Sequence, residues 1–165
     1  MPRPPSQDGC SWVEECIEEC DGPTLFVEEE GVRATFRNPR RQRLRKIHYD
    51  GCYAPAGSQQ ADYILGLRDA IDVVVELKGS DTKIKNAADQ VESTLHAWKL
   101  DAKRAPTIAA LIVYGRIEGP KKLPGRIPRA KAVISGVIAR FLNHGTVLII
   151  EETGTRQYSF RDFMG

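Results

Sequence analysis

Three charged side chains of this 165-residue chain stand where they could share one piece of chemistry: Asp62, Glu76 and Lys78. Ile71-Asp72-Val73-Val74-Val75-Glu76-Leu77-Lys78 is rich in β-branched residues and is followed by Gly79, the pattern of a buried strand. Side chains at i and i+2 of a strand share a face, so Glu76 and Lys78 project together and Leu77 projects the other way. Asp62 opens a second apolar run, Asp62 to Leu67, with Arg68-Asp69-Ala70 as a turn between the two. If they pair antiparallel around residue 69, Asp62 falls opposite residue 76. Two carboxylates so placed repel each other unless a cation lies between them. Mg²⁺ or Mn²⁺ suits such a pair, because hard cations take carboxylates, water and substrate phosphate together. The backbone carbonyl of Leu77 is a further candidate ligand. A lysine beside the metal would orient the attacking water or stabilise charge developing on phosphorus. Gln90, in the helix that follows, could point back to position a water or a phosphate. The chemistry so described is metal-assisted hydrolysis of a phosphodiester.

Several elements must position these groups. Trp12, Val13, Cys16, Ile17 and Cys20 recur at helical spacing, which predicts a short amphipathic helix from Ser11 to Cys20, stopped by Asp21-Gly22-Pro23. Residues 24–30 and 32–36 read as a hairpin around Gly31, and 45–50 as a further strand. A helix from Ser80-Asp81 to Lys99 is expected from Ile84, Ala87, Ala88, Val91, Leu95 and Trp98, three or four apart. Thr107 to Tyr114 reads as another buried strand. A Gly/Pro/Lys linker over 115–126, a helix over 128–143, a strand over 147–151 and a weak terminal segment over 157–163 complete the order. The expected fold is α/β, a mixed central sheet with helices on its faces. Residues 1–9, Pro-rich and polar, are expected to form a flexible tail, and 10–165 a single domain.

Ala61-Asp62, then Val73-Val74-Val75-Glu76-Leu77-Lys78-Gly79, then Gln90-Val91-Glu92-Ser93-Thr94 together resemble the PD-(D/E)XK nuclease superfamily. The resemblance covers about residues 10–115. It implies a restriction-endonuclease-like fold, Mg²⁺ or Mn²⁺ held by Asp62 and Glu76, and Lys78 acting on the hydrolytic water. Gln90 corresponds to the glutamine-bearing helix of several branches. Many members add an acid from an N-terminal helix, here one of Glu14, Glu15, Glu18 or Glu19, with Glu15 preferred. Ala61 stands where the family motif often has proline. The implied partner is nucleic acid, DNA before RNA, cut by a homodimer. An inactive nucleic-acid-binding or protein-binding module on the same fold is the alternative. An E-x-K triplet alone is equally compatible with a solvated surface pair worth under about 1 kcal/mol; the apolar run before it and the aspartate at hairpin distance argue for a site.

Composition narrows the classes. Lys+Arg number 24 against 22 Asp+Glu, a net charge of +2 that by itself argues for no partner. The distribution is more telling. Residues 14–30 are acidic, while Arg37, Arg40, Arg41, Arg43, Arg45 and Lys46 form a basic run, with Lys121, Lys122, Arg126, Arg129 and Lys131 a second. The first run is a candidate phosphate-contacting arm, because arginine suits bidentate phosphate contacts. Cys10, Cys16, Cys20 and Cys52 match no common zinc module and are expected as free thiols. His48, His96 and His144 pair with no nucleophile, which argues against a Ser/His or Cys/His hydrolase. Asp50-Gly51-Cys52 reads as a turn that could neighbour Asp62. No apolar run reaches the roughly 20 residues of a membrane span, and the N-terminus lacks a signal-like apolar core. A soluble cytoplasmic protein is therefore expected.

Overall fold

The computed structural model describes residues 5–57, 59–115 and 126–164, with the side chains of the second helix described from residue 131 onward. Nine strands and two α-helices follow one another: β1 (Cys10–Glu14), β2 (Ile17–Cys20), β3 (Thr24–Glu29), β4 (Val32–Arg37), β5 (Leu44–His48), β6 (Tyr63–Leu67), β7 (Ile71–Lys78), α1 (Ile84–Lys99), β8 (Thr107–Tyr114), α2 (Arg126–Asn143) and β9 (Leu148–Glu152). Seven strands form one mixed sheet in the order β1-β2-β5-β6-β7-β8-β9, and β3 and β4 form a separate hairpin. From β1 to β7 neighbours run antiparallel; β8 and β9 run parallel to β7. The change of sense follows from the connections. A three-residue turn returns β6 into β7 antiparallel, whereas the long path through α1 lets β8 enter parallel. Ser80 starts that path, its hydroxyl accepting the Thr82 N–H at 3.2 Å.

The sheet separates two cores. Ile47, Ile64, Val74, Ala110 and Ile112 face α1 and α2, where α1 buries Ile84, Ala87, Ala88, Val91, Leu95 and Trp98. Leu65, Val73, Val75, Leu77 and Leu111 face the other way, onto Leu25, Val27, Ala34 and Phe36 of the β3–β4 hairpin and onto Tyr158, Phe160 and Phe163 near the C-terminus. The alternation along β7 is thus used on both faces, as a central strand requires. Among the described residues both α-helices lie on one face. The second face, for which helices were expected, is covered by the hairpin and the C-terminal segment, which bring enough apolar side chains to close it. The hairpin turns at Glu30-Gly31, whose φ values of 52° and 75° give the left-handed pair of a two-residue loop between the paired residues Glu29 and Val32.

The expected helix over Ser11–Cys20 is instead the β1–β2 hairpin. Its apolar spacing fits a helix, but tertiary partners decide: β2 pairs β1 on one side and β5 on the other. The free thiols expected from the spacing are also corrected. Cys10 faces Cys20 across the hairpin with Cα atoms 4.0 Å apart, and Cys16 meets Cys52 at 5.7 Å; both pairs are disulfides. Strand pairing creates the first and the docking of the 49–53 turn on the β1–β2 turn creates the second, neither visible to linear spacing. Of residues 1–9, Gln7 is held against β3, donating to the Thr24 carbonyl at 3.2 Å and accepting the Phe26 N–H at 3.1 Å. The linker over 115–126 lies, apart from its two ends, outside the described residues. No helix among the described residues is long and apolar enough to cross a membrane.

Candidate active site

The β6–β7 register, with Tyr63 opposite Val75, sets Asp62 opposite Glu76 at the open end of the hairpin. The carboxylate of Asp62 reaches across and accepts the Leu77 N–H on Oδ2 at 2.9 Å. Within a strand the N–H and C=O of one residue point to the same side, so the Leu77 carbonyl also faces the Asp62 edge, while the Lys78 carbonyl turns to the other side and accepts the Gly115 N–H at 2.7 Å. Glu76 is fully buried, and neither of its oxygens has a hydrogen-bond partner. Lys78 Nζ stands 3.5 Å from Glu76 Oε2, an ion pair without a hydrogen bond, and its side chain is mostly shielded from solvent. Burial first, and then the adjacent Asp62, push the Glu76 carboxyl well above the usual carboxylate range; the Lys78 ammonium opposes the shift. Leaving a buried carboxyl without a hydrogen bond is costly, and among the described residues Glu76 is the one with both side-chain oxygens so left.

Gln90 lies on the flank of the same end. Its Nε2 donates to the Gln60 carbonyl at 3.3 Å, and its Oε1 is buried without a partner. One turn on, Thr94 Oγ1 accepts the Ala61 N–H at 2.8 Å. The glutamine-bearing helix therefore grips the two residues that lead into Asp62. On the other side sits the tip of the β3–β4 hairpin. Glu30 accepts the Gly79 N–H at 3.0 Å and lies 3.7 Å from Lys83, clamping the chain just beyond Lys78. Glu29 takes a hydrogen bond from the Tyr63 hydroxyl at 3.3 Å; burial, then the nearby Asp62, raise its pKa, with Asp50 adding to the shift. Asp50 thus neighbours this end, as its position before Asp62 suggested. Tyr49 N–H donates to the Asp62 carbonyl at 3.0 Å, and the Cys16–Cys52 disulfide fixes the turn that carries Asp50.

Other expected site residues are not brought here. Glu15 is exposed in the β1–β2 turn, which lies at the same end of the sheet with β5 between β2 and β6. The basic run is divided by strand alternation. Arg45 turns to the α1 face, where it meets Asp72 at 3.1 Å, and Lys46 is buried on the opposite face, 3.8 Å from Glu18. Neither is free to meet a phosphate. Arg37, Arg40, Arg41 and Arg43 are exposed, but they precede β5, whose first residue pairs with Leu67, at the end of the sheet away from Asp62. Arg43 lies 3.6 Å from Glu19. Lys121 and Lys122 lie outside the described residues, as do the side chains of Arg126 and Arg129.

Two buried ionic clusters escaped the sequence reading. In one, Glu18 lies 2.6 Å from His48 Nε2 and faces Lys46, beneath the Trp12 and Tyr63 rings that flank His48. The alternation of 46 and 48 in β5 was the available signal, but it needs the Glu18–Lys46 pairing of β2 with β5 to be read. The other cluster is built on Asp72. Among the described residues no three His, Cys, Asp or Glu side chains converge as a metal-binding group. The oxygen groups that face each other across the β6–β7 ladder are the Asp62 and Glu76 carboxyls, with the Leu77 carbonyl on the Asp62 edge and Glu29 and Asp50 nearby. No protein-family model, curated protein or solved structure matches the chain.

Proposed function

We propose that the protein hydrolyses phosphodiester bonds of nucleic acid, DNA in preference to RNA, as a metal-dependent nuclease of PD-(D/E)XK type. One observation carries this reading: Glu76 is buried with both oxygens unsatisfied, between Asp62 and Lys78. A structural carboxylate in that setting would have donors. Oxygen donors left open beside a second carboxylate suit a hard divalent cation, so the residues fit Mg²⁺ or Mn²⁺. Asp62, Glu76 and the Leu77 carbonyl would hold it. When bound, the cation supplies charge neutralisation at the phosphate and an acidified water. Lys78 keeps its ammonium at the rim, where it orients the nucleophile and meets the charge that develops on the phosphoryl oxygens. Gln90 retains an unused carbonyl oxygen facing the same end, able to fix a water or a phosphate-bound hydroxyl. The meander β5-β6-β7 followed by α1 and the parallel β8 supports the expected fold, since it sets the triplet at the end of a central strand.

The test is cleavage of a mixed DNA and RNA panel with Mg²⁺, Mn²⁺ or EDTA. Metal-dependent cutting is expected, lost in Glu76→Ala and in Lys78→Ala with little change in thermal melt. Cutting that survives both substitutions sinks the assignment. Binding of nucleic acid without turnover favours the inactive module. Cutting of both duplex strands would call for two such sites, as in a homodimer. The two disulfides suit an oxidising compartment better than the cytoplasm expected from the sequence.

A further inference from the structure

The arginines of the described residues fall into two sets. Arg33, Arg43, Arg45, Arg68, Arg140 and Arg156 each lie beside a carboxylate, and Arg104 donates to three backbone carbonyls. Arg37, Arg40, Arg41 and Arg161 have no such partner, and all are exposed. They are not scattered. Arg37, Arg40 and Arg161 rim a single open groove of about 380 Å³ floored by Leu44, Leu67, Phe160 and Met164, with no acidic residue in its lining. Arg41 belongs to the loop that forms one wall.

This convergence is constructed by the fold. Asn38 is buried and spends its whole side chain on the loop: Nδ2 donates to the carbonyls of Gly22 at 3.0 Å and Gln42 at 2.7 Å, and Oδ1 accepts the Gln42 N–H at 3.0 Å. Arg40 is therefore presented from a pinned loop. The C-terminal segment is stitched beside β4, with Arg37 N–H donating to the Tyr158 carbonyl at 2.7 Å and Tyr158 N–H to the Thr35 carbonyl at 2.8 Å. That brings Arg161 to the groove. The acid next to it is already engaged, since Asp162 accepts the Ser159 N–H at 2.9 Å and lies 3.5 Å from Arg156.

We infer that this groove is a second nucleic-acid contact, in which Arg37, Arg40 and Arg161 hold the phosphodiester backbone of the substrate away from the hydrolytic centre. The inference rests on the proposed nuclease reading for its ligand. Guanidinium forks match phosphate oxygens two at a time, and several unpaired forks on one rim match a polyanion rather than a single carboxylate. Position then sets the substrate. The groove lies at the Leu44–Leu67 end of β5 and β6 and on the hairpin face of the sheet, whereas the Asp62 and Glu76 side chains stand five residues along β6 and on the α1 face. The two places are separated by roughly 17 Å of strand and by the thickness of the sheet, so a ligand that touches both must pass round the end of the sheet. Mononucleotides and dinucleotides reach one place or the other; only a long polynucleotide reaches both.

The test is binding of a fluorescently labelled 20-base-pair DNA in EDTA, with no turnover involved. Wild type should bind with a steep salt dependence. Arg37→Gln/Arg40→Gln/Arg161→Gln should bind at least tenfold more weakly, with the log–log salt slope reduced by about 2–3, near 0.9 for each phosphate no longer neutralised. Arg40→Glu alone should weaken binding in the same direction, and Arg140→Gln, an arginine of α2 paired with Glu92 on the other face of the sheet, should leave it unchanged. A dinucleotide should not compete at the groove. Equal binding by wild type and the triple variant overturns the inference, as does an affinity for polyglutamate equal to that for DNA. Wild type that binds no DNA overturns it too. Metal-dependent hydrolysis of bis(p-nitrophenyl) phosphate, which needs no groove, separately reports whether the Asp62–Glu76 reading stands.

Discussion

Asp72 and Glu76 project from the same face of the same strand, four residues apart, and both are buried, yet their surroundings are opposite. Asp72 is enclosed by donors. Arg45 Nη2 reaches both of its oxygens at 3.1 and 3.2 Å, the Trp98 indole N–H donates at 2.8 Å and the Ala105 N–H at 2.7 Å. Even the residue across the ladder yields to it: Gly66 pairs with Asp72, and a Cβ there would stand 2.5 Å from Asp72 Oδ1. Glu76 has none of this. Its oxygens accept no hydrogen bond, and the charged groups beside it are the Asp62 carboxylate and the Lys78 ammonium, an ion pair at 3.5 Å. Buried charge is tolerated when it is paired and hydrogen-bonded. Asp72 meets that condition and so locks β5, β7 and α1 together. Glu76 fails it, and that failure is the observation on which its proposed role in metal binding rests.

The largest expected effect tests the structural half of this contrast. Asp72→Ala takes the carboxylate from Arg45, leaves the Trp98 indole and the Ala105 N–H without an acceptor, and should lower unfolding free energy by about 3–5 kcal/mol in urea titration. Glu76→Gln, on the same face, should leave stability unchanged or raise it. An Asp72→Ala loss below about 1 kcal/mol, or a comparable loss in Glu76→Gln, breaks the contrast.

The next test is pH. The folded-state pKa of Glu76 is raised above its ordinary value near 4.5. Its neutral form is the one the fold favours, so its contribution to stability is full below the unfolded pKa and is lost as pH rises toward the folded one. Without divalent cations the unfolding free energy should therefore decline from pH 5 to pH 9, by at most roughly 1.4 kcal/mol per pH unit from this group, with the melting temperature falling in step. Glu76→Gln should flatten that decline. Added Mn²⁺ should stabilise the wild type more at pH 8 than at pH 5.5, because the metal needs the carboxylate. A pH profile identical in wild type and Glu76→Gln removes the claim that Glu76 is held neutral.

The same contrast explains what the sequence could and could not disclose. The Asp62–Glu76 end was legible because everything that makes it is local: two strands joined by a three-residue turn, a two-residue spacing and the next helix. Period-2 and period-3.6 patterns report such relations directly. Asp72 sits four residues before Glu76 in the same strand, but its role depends on Arg45, Trp98 and Ala105, which come from three other places in the chain. The β1–β2 hairpin was misread for the same reason. Trp12, Cys16 and Cys20 satisfy a helical period in isolation, and β5, which gives β2 its second partner beside β1, comes more than twenty residues later. The basic run failed at finer grain. Its charge was visible, but whether each cation reached solvent depended on which face of β5 it occupied, and a run of like charges carries no alternation to read.

Arg43 and Arg45 sharpen that last point with the smallest effect. They stand two residues apart and each faces an acid, Glu19 at 3.6 Å and Asp72 at 3.1 Å. Arg43 is largely exposed, and water competes for both members of its pair, so Arg43→Ala should cost less than about 1 kcal/mol and lose even that in 0.5 M salt. Arg45 faces a buried carboxylate and stacks its guanidinium 5.6 Å from the Trp98 ring. Arg45→Ala leaves Asp72 with two of its donors, so its loss should exceed that of Arg43→Ala severalfold and should persist in high salt. Urea titrations of both variants at low and high salt measure the difference. If Arg43→Ala proves as costly as Arg45→Ala, exposure is not what separates the two arginines, and the distinction between a locked carboxylate and an open one loses its energetic basis.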